Sequence, residues 1–200
     1  MTVMAIGNWN NNAEMIESCA DLGYLRDEVR TLDPTYGLGR FWSNWKPGEL
    51  VGCDIDPERS PIGYSVDFRE MPFDDGEFGQ VVLDGPYGLR GTPTMASDAA
   101  YGLVDNMAWQ DRMRLCIDGI TECVRVLSPG GTLLVKCQDQ VCSGQVRWQT
   151  REFADHAEAL GCRLVDMLHL VSYRPQPEGR RQVHARRNYS TMLVLRRERA

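Results

Sequence analysis

Residues 81–87 read VVLDGPY and join a short apolar run to a turn that contains glycine and proline. Three consecutive aliphatic residues are typical of a buried strand, so residues 84–87 are predicted to follow the end of that strand. Asp-Gly and Gly-Pro pairs mark turns in many proteins. Asp84, Gly85 and Tyr87 also offer a carboxylate, an approachable backbone and an aromatic ring, which suit a flat ring with an exocyclic amino group. The four residues alone leave both interpretations open.

Apolar runs and amphipathic segments alternate on both sides of this stretch. Seven apolar runs are predicted strands: residues 29–32, 50–53, 64–66, 79–83, 132–136, 162–173 and 189–197. Three segments have the spacing of helices: residues 13–22, 106–127 and 147–160. Strands that alternate with helices predict an α/β fold, a doubly wound and mainly parallel seven-stranded sheet with helices on both faces. The last two strands are joined without a helix and predict an antiparallel C-terminal edge.

The composition, with 42% hydrophobic and 25% charged residues, is that of an ordinary globular protein. A length of 200 residues suits a single domain over residues 1–200. Two long connections, residues 88–108 and 174–188, are candidates for substrate-facing loops, because long loops in compact domains are usually functional or mobile. No apolar run reaches the length of a membrane span and no signal sequence is recognisable, so we expect a cytoplasmic protein without membrane contact.

The seven cysteines contain no C-x-x-C pair, and the three histidines are dispersed along the chain. This spacing favours reduced and mostly buried thiols over a disulfide framework or a zinc site. We therefore expect no metal.

The net charge of −6 is distributed unevenly along the chain. Residues 171–200 hold eight arginines and two glutamates, a net +6, whereas the other 170 residues hold 14 basic and 26 acidic side chains, a net −12. A basic end on an acidic body can mark an edge that faces phosphates, or a solvated hairpin whose arginines pair with acids of the body. The pattern leaves these two interpretations open.

A loop with two glycines follows the first predicted strand, where glycine lets the backbone lie close to a ligand. Asp54, after the second strand, is placed to accept hydrogen bonds from ribose hydroxyls. Asp67, after the third strand, could reach an adenine amino group. A dinucleotide fingerprint would need glycine at position 42, where the chain has Trp42. Carboxylate walls repel phosphates and favour a neutral or cationic cofactor.

Together these segments resemble the class I S-adenosylmethionine-dependent methyltransferases, and most closely the branch that methylates adenine N6 or cytosine N4 of DNA. Residues 33–39, DPTYGLG, resemble the cofactor loop D-P-F-x-G-x-G of that branch. Residues 52–57, GCDIDP, resemble its ribose-binding strand end, residues 67–78 its D-x-x-x-L-P-F-x-D-x-S-F-D stretch, and residues 127–133 its L-x-P-G-G-x-L turn. The likeness extends from about Thr31 to Lys136.

The resemblance implies S-adenosyl-L-methionine as the cofactor and a Rossmann-like methyltransferase fold. It assigns cofactor contacts to Asp33, Pro34, Thr35, Tyr36, Gly37, Gly39, Asp54, Ile55, Asp67 and Phe68. It assigns the reaction to Asp84, Gly85, Pro86 and Tyr87, which match the catalytic pattern D/N/S-P-P-Y/F/W except that Gly85 replaces the first proline. A weaker assignment as substrate contacts covers Gln138, Asp139, Arg180, Arg181, Arg186 and Arg187.

Methyl transfer to an exocyclic amine of a nucleic-acid base, with DNA favoured over RNA, is therefore the first functional hypothesis. The chain has little length for a target-recognition domain, so loops or a protein partner would supply recognition. RNA, a nucleotide or another small molecule as substrate is the second hypothesis. A non-catalytic module that binds a cofactor or a partner on the same fold is the third, because fold alone does not separate them.

Overall fold

The structure, a computed structural model, describes residues 2–7, 9–89, 107–172, 179 and 181–199. The strands in chain order are β1 (Ile6–Gly7), β2 (Thr31–Asp33), β3 (Leu50–Gly52), β4 (Phe78–Leu83), β5 (Leu127–Cys137), β6 (Gln140–Cys142), β7 (Gln145–Arg147), β8 (Cys162–Val171) and β9 (Tyr189–Arg197). The helices are α1 (Asn12–Asp21), α2 (Trp109–Val126) and α3 (Gln149–Ala159), with a single 3₁₀ turn at Arg40–Trp42.

Seven of these strands form one sheet in the order β1-β8-β9-β5-β4-β2-β3. The pairs β1–β8, β2–β3, β2–β4 and β4–β5 are parallel, whereas β9 is antiparallel to both β5 and β8. The mainly parallel, doubly wound sheet with an antiparallel C-terminal part is confirmed. Parallel strands place their carboxyl ends at one edge, and this is the edge that collects ligand sites in open α/β sheets.

Alternate residues of the central strands pack against helices on opposite faces, as the two-residue period of a strand requires. Val81, Leu83 and Val135 belong to the core under α2 and α3. Val82 and Leu134 belong to the core under α1 and the 3₁₀ turn. The central strands β4 and β5 are therefore buried on both sides.

Most predicted helix and strand ends differ from the structure by one to three residues, and three elements differ by more. Residues 64–66 are not a strand, because only an isolated bridge between Asp54 and Ser65 forms there beyond β3. The seventh strand is instead β1, whose Ile6 and Gly7 pair with His169 and Leu170 of β8. Two residues are too few for a hydrophobic period to be visible, so only the long-range pairing defines this strand. The fifth strand is also longer than predicted and begins at Leu127.

A small hairpin of β6 and β7 was not predicted. Its turn residues Ser143 and Gly144 have φ values of 52° and 74°, the left-handed conformation that a two-residue hairpin turn needs. Gln140 of this hairpin donates to the backbone carbonyl of Tyr87. The hairpin thus packs against the segment that follows β4.

The predicted state of the cysteines is confirmed: all seven are free thiols, and six of them are buried. In the part of the chain that the structure describes, no cluster of three histidine, cysteine or acidic side chains could hold a metal ion. None of the helices among the described residues combines the length and the apolar character that crossing a membrane requires.

Candidate functional site

A cavity of about 290 Å³ lies at the carboxyl edge of the sheet. Its lining residues come from five parts of the chain: Pro34, Thr35, Asp54, Ile55, Asp67, Phe68, Arg69, Pro86, Met107 and Leu115. Small-molecule sites usually occupy about 300–1,000 Å³, so this cavity is close to the lower end of that range. Six of the residues predicted to contact a cofactor line it, together with Pro86 of the segment after β4.

Asp33, the last residue of β2, lies behind this lining and is buried. Its Oδ2 accepts a hydrogen bond of 2.7 Å from Trp42 Nε1, and its Oδ1 accepts one of 3.0 Å from the Thr35 amide. Burial raises the pKa of Asp33 to about 7, and the nearby charge of Asp84 acts in the same direction. Asp33 therefore anchors the loop after β2.

Thr35 connects this loop to the segment after β4. Its hydroxyl lies 3.3 Å from Asp33 Oδ1, to which it donates, and accepts a hydrogen bond of 2.9 Å from the Asp84 amide. Because Thr35 also lines the cavity, one side chain joins the predicted cofactor loop to the first residue of the predicted catalytic segment.

Asp54 shapes the same loop from β3. Its Oδ2 accepts from the Gly37 amide and its Oδ1 from the Asp56 amide, both at 2.9 Å. These bonds use one lone pair on each oxygen, so the carboxylate, which lines the cavity, can still accept from a ligand.

Tyr36, Gly37 and Gly39 are not among the lining residues and act on the loop from outside the cavity. The Tyr36 ring packs so closely over Gly39 and Gly52 that a β-carbon at either glycine would lie 2.6 Å or 2.4 Å from it. Gly39 has a φ of 66° and therefore favours glycine for a second reason.

Asp67 lines the cavity but is paired with Arg69, which the sequence analysis did not single out. The Arg69 Nε lies 2.9 Å from Asp67 Oδ1 and 3.1 Å from Oδ2. Hydrogen bonds from the Arg69 side chain lower the pKa of Asp67 from its ordinary value. A basic residue two positions after a site carboxylate was the available sequence signal. Asp67 is consequently held as an anion.

Phe68 forms the apolar wall and depends on a glycine in α2. A β-carbon at Gly119 would lie 2.3 Å from the Phe68 ring, so the ring occupies the space that a side chain would fill. Leu115 of α2 and Met107 complete this wall, and neither was predicted. The helical period of α2 identifies a buried face but not which of its residues reach a cavity.

The segment Asp84–Tyr87 is held from the other side by two glutamines. The Tyr87 carbonyl accepts hydrogen bonds of 2.7 Å from Gln140 Nε2 and Gln149 Nε2. The Gly85 carbonyl accepts one of 2.8 Å from the Tyr87 amide, which leaves its second lone pair. A β-carbon at Gly85 would meet its nearest neighbour, Cys116 Sγ, at 3.7 Å, an ordinary contact.

The weaker predicted substrate contacts have different surroundings. Gln138 and Asp139 are buried, and both hold the protein frame: Gln138 Nε2 donates to the Arg187 and Tyr189 carbonyls, and Asp139 Oδ1 accepts from the Thr150 amide. The Arg187 guanidinium lies 4.6 Å from the centre of the half-exposed Trp148 ring.

Parts of the predicted substrate surface lie outside the described residues. Arg180, residues 90–106 of the first predicted substrate loop and residues 174–178 of the second are among them, whereas Arg181 and Arg186 are described.

No protein-family model matches the chain, and no curated protein matches it. Solved structures do resemble it. A methyltransferase of Haloferax volcanii, solved with the Trm112 methyltransferase activator, is 13% identical with a TM-score of 0.57, covering 94% of this chain and 95% of its own. A Bacillus halodurans protein described as a methyltransferase is 14% identical with a TM-score of 0.59, covering 92% and 99%.

A third structure carries ligands. The 1,6-didemethyltoxoflavin-N1-methyltransferase of Burkholderia thailandensis, solved with 1,6-didemethyltoxoflavin and S-adenosylhomocysteine, is 14% identical with a TM-score of 0.54. The match covers 94% of this chain and 76% of that one. Because these identities are low, the comparisons establish the fold alone. It is a Rossmann-like sheet of the kind found in S-adenosylmethionine-dependent methyltransferases.

Proposed function

We propose that this chain is an S-adenosylmethionine-dependent methyltransferase that acts on an exocyclic amine of a nucleic-acid base, adenine N6 or cytosine N4 of DNA. One observation carries the proposal: the cavity at the carboxyl edge is lined both by Pro34 and Thr35 of the loop after β2 and by Pro86 of the segment after β4. A cofactor in this cavity would therefore lie directly beside Asp84–Tyr87.

The donor set of the cavity fits the cofactor. Asp54 supplies an acceptor for ribose hydroxyls, and Ile55 and Phe68 supply apolar surface for the ring. Both oxygens of Asp67 accept from Arg69, so Asp67 would take an adenine amino group by exchanging one of these bonds. Carboxylates also suit a ligand that carries a sulfonium and an ammonium group better than one that carries phosphates. When bound, the cofactor would supply an electrophilic methyl group.

The segment after β4 provides what an amine nucleophile needs. An exocyclic amine on an aromatic ring is a weak nucleophile, because its lone pair is delocalised. Hydrogen bonds from its two N–H groups to the Asp84 carboxylate and to the free lone pair of the Gly85 carbonyl would orient the nitrogen towards the methyl group. Tyr87 would stack on the base, which must leave the helix if the substrate is a duplex. As the nitrogen–carbon bond forms, the sulfur–methyl bond of a bound cofactor would break with its electron pair left on sulfur, and the amine proton would pass to Asp84 or to water.

The test is methyl transfer from radiolabelled cofactor to DNA, transfer RNA and free nucleotides, offered separately. We expect label in DNA, and a loss of at least about 100-fold in turnover for Asp84→Ala. Asp111→Asn, an exposed carboxylate at the start of α2, is the matched control and should retain turnover. Calorimetry should give unchanged cofactor affinity for both variants. Near wild-type turnover of Asp84→Ala would contradict the proposed role.

Gly85 favours a second candidate, methylation of RNA, a nucleotide or another small molecule. Glycine leaves more room at the acceptor position than proline, and one neighbour of the same fold is solved with a small heterocyclic molecule, 1,6-didemethyltoxoflavin. Label in RNA or nucleotides but not in DNA would support this candidate. Label in no substrate, with cofactor binding established, would support a non-catalytic module.

Recognition of a nucleic acid would use arginines and a protein partner. Arg181, Arg186 and Arg187 are proposed to contact phosphates, which predicts binding that weakens steeply with added salt. The Haloferax volcanii neighbour is solved in complex with an activator protein, which supports a search for a partner of this chain. Residues 88–108 and 174–188 remain the proposed substrate-facing loops.

A further inference from the structure

Lys136 is a buried residue at the end of β5, next in register to Asp84 of the proposed acceptor site. In the register of the sheet, Leu83 of β4 pairs with Val135 of β5, and Leu32 of β2 pairs with Val81. Continuing both registers places Thr35, Asp84 and Lys136 in one row across three strand ends. The hydrogen bond from the Asp84 amide to Thr35 Oγ1 agrees with this register. Side chains in such a row point to the same face of a sheet.

The surroundings of Lys136 tie it to the start of α1. Its Nζ donates a hydrogen bond to Asn12 Oδ1, at the first residue of α1, and lies 5.9 Å from the centre of the Phe41 ring. Its side chain is 2% exposed. The titratable groups that face it are Asp84 after β4, Cys19 of α1 and Cys137 of its own strand. Asp84 is the acid among these groups.

The residue type is itself informative. The chain has 22 basic residues, and only Lys46 and Lys136 among them are lysines. Arginine stays protonated in proteins, whereas a buried amine can lose its proton. Burial lowers the pKa of Lys136 to about 8, and the Asp84 charge opposes this shift. A buried ammonium is costly unless it is compensated, and methionine would fill the space without that cost.

We propose that Lys136 is a positioning residue, which holds the Asp84 carboxylate in the row of strand ends and fastens it to the first turn of α1. The electrostatic coupling between Lys136 and Asp84 does not depend on the reaction that the protein catalyses. Its consequence for catalysis rests on the proposed methyl transfer. With the ammonium in place, the Asp84 carboxylate is oriented as an acceptor. Without it, the carboxylate loses its neighbouring cation, and α1 loses its attachment to β5.

The chain has only two lysines, so the titration of each can be followed separately. In protein labelled with ¹³C at lysine Cε, a pH titration gives two resonances, and the exposed Lys46 serves as an internal reference. We expect Lys136 to titrate near pH 8 and, in Asp84→Asn, about 1 pH unit lower, because an adjacent opposite charge commonly shifts a pKa by at least that much. Lys46 should not move. An unchanged Lys136 titration in Asp84→Asn would overturn the proposal whether or not the protein is active.

Activity measurements on Lys136 variants separate a positioning role of this residue from a general effect on protein stability. Lys136→Met should lower turnover more than tenfold with unchanged cofactor affinity, and Lys136→Arg, which keeps the charge, should restore part of it. Equal loss in both variants would contradict an electrostatic role. Should Lys136→Met fail to fold, the lysine titration in Asp84→Asn still decides the proposal. Absence of methyl transfer by the wild-type protein would remove the proposed function, while the titration would still establish or refute the coupling.

Discussion

The two edges of the central sheet carry opposite charge, and they hold it in different ways. At the carboxyl edge, Asp33 and Asp54 are buried, and Asp84 is half-buried. At the opposite edge, four arginines surround the turn at Gly130, next to an open cavity of about 560 Å³: Arg163, Arg196, Arg197 and Arg199. Arg163 and Arg196 are directly opposite each other on β8 and β9.

Charge at the two edges has different consequences for the stability of the fold. Among the described residues, none of these four arginines forms an ion pair, and Arg163 and Arg199 are exposed. Water and salt screen such charges, so their mutual repulsion is weak. Buried carboxylates are not screened, and each depends on particular hydrogen-bond donors. The basic C-terminal region is also divided, since Arg187 contacts Trp148 whereas Arg196–Arg199 lie at the far edge.

The largest expected effect is a pH dependence of stability caused by Asp33. Its pKa is about 7 in the folded protein against 3.8 ordinarily, so the folded state keeps a proton that the unfolded chain loses between these values. Stability should therefore fall as the pH rises from about 4 to about 7, by up to about 4 kcal/mol, and then level off. Urea unfolding of wild type and Asp33→Asn from pH 5 to pH 8 measures this, because Asp33→Asn lacks the effect. Parallel curves of stability against pH for the two proteins would contradict this assignment to Asp33.

A smaller effect is expected at the apolar wall of the same edge. Gly119→Ala in a helix normally stabilises by about 1 kcal/mol, but here the new β-carbon would lie 2.3 Å from the Phe68 ring. Overpacking costs about 1–3 kcal/mol, so we expect net destabilisation and weaker binding of S-adenosylhomocysteine by calorimetry. Phe68→Leu in the same chain should restore stability by making room. A Gly119→Ala protein that is more stable than wild type would refute the described packing.

The smallest effect belongs to the arginine edge. Arg163→Glu places an opposite charge across from Arg196 and should stabilise by about 0.2–1 kcal/mol, more at low salt. The matched control is Arg151→Glu on α3, which loses the 3.4 Å pair with Asp155 and should destabilise slightly. Chemical denaturation at two salt concentrations compares them. Destabilisation by Arg163→Glu would mean that the two edges do not differ as described.

Local patterns predicted the parts of the site that lie on strand ends. A strand and the residues that follow it are contiguous, so Pro34, Thr35, Asp54 and Pro86 were placed at the edge where the cavity lies from sequence alone. Asp67 lines the same cavity although the strand predicted before it does not form. The parallel arrangement then brought them to one cavity without further information.

The residues that were missed approach the cavity from other elements. Leu115 reaches it from α2, whose period marks only a buried face, and Met107 reaches it from two positions before that helix. Gln138 and Asp139 follow β5 at the site edge, yet their side chains satisfy backbone groups of Tyr189 and Thr150. Sequence position indicates which edge a polar residue occupies, but not whether the protein itself uses its hydrogen bonds.

At position 85 the chain has glycine where the resembled catalytic pattern has proline. This residue affects how the segment Asp84–Tyr87 is held in shape. A proline at position 85 would stiffen the segment within its own backbone, even in the unfolded chain. With glycine, the order of the segment depends on Gln140 and Gln149, which lie 53 and 62 residues further along the chain. Contacts from the hairpin and α3 therefore supply part of the order that a proline would supply locally. The rigidity of the segment after β4 is thus a long-range property, to which parts of the chain far from it in sequence contribute.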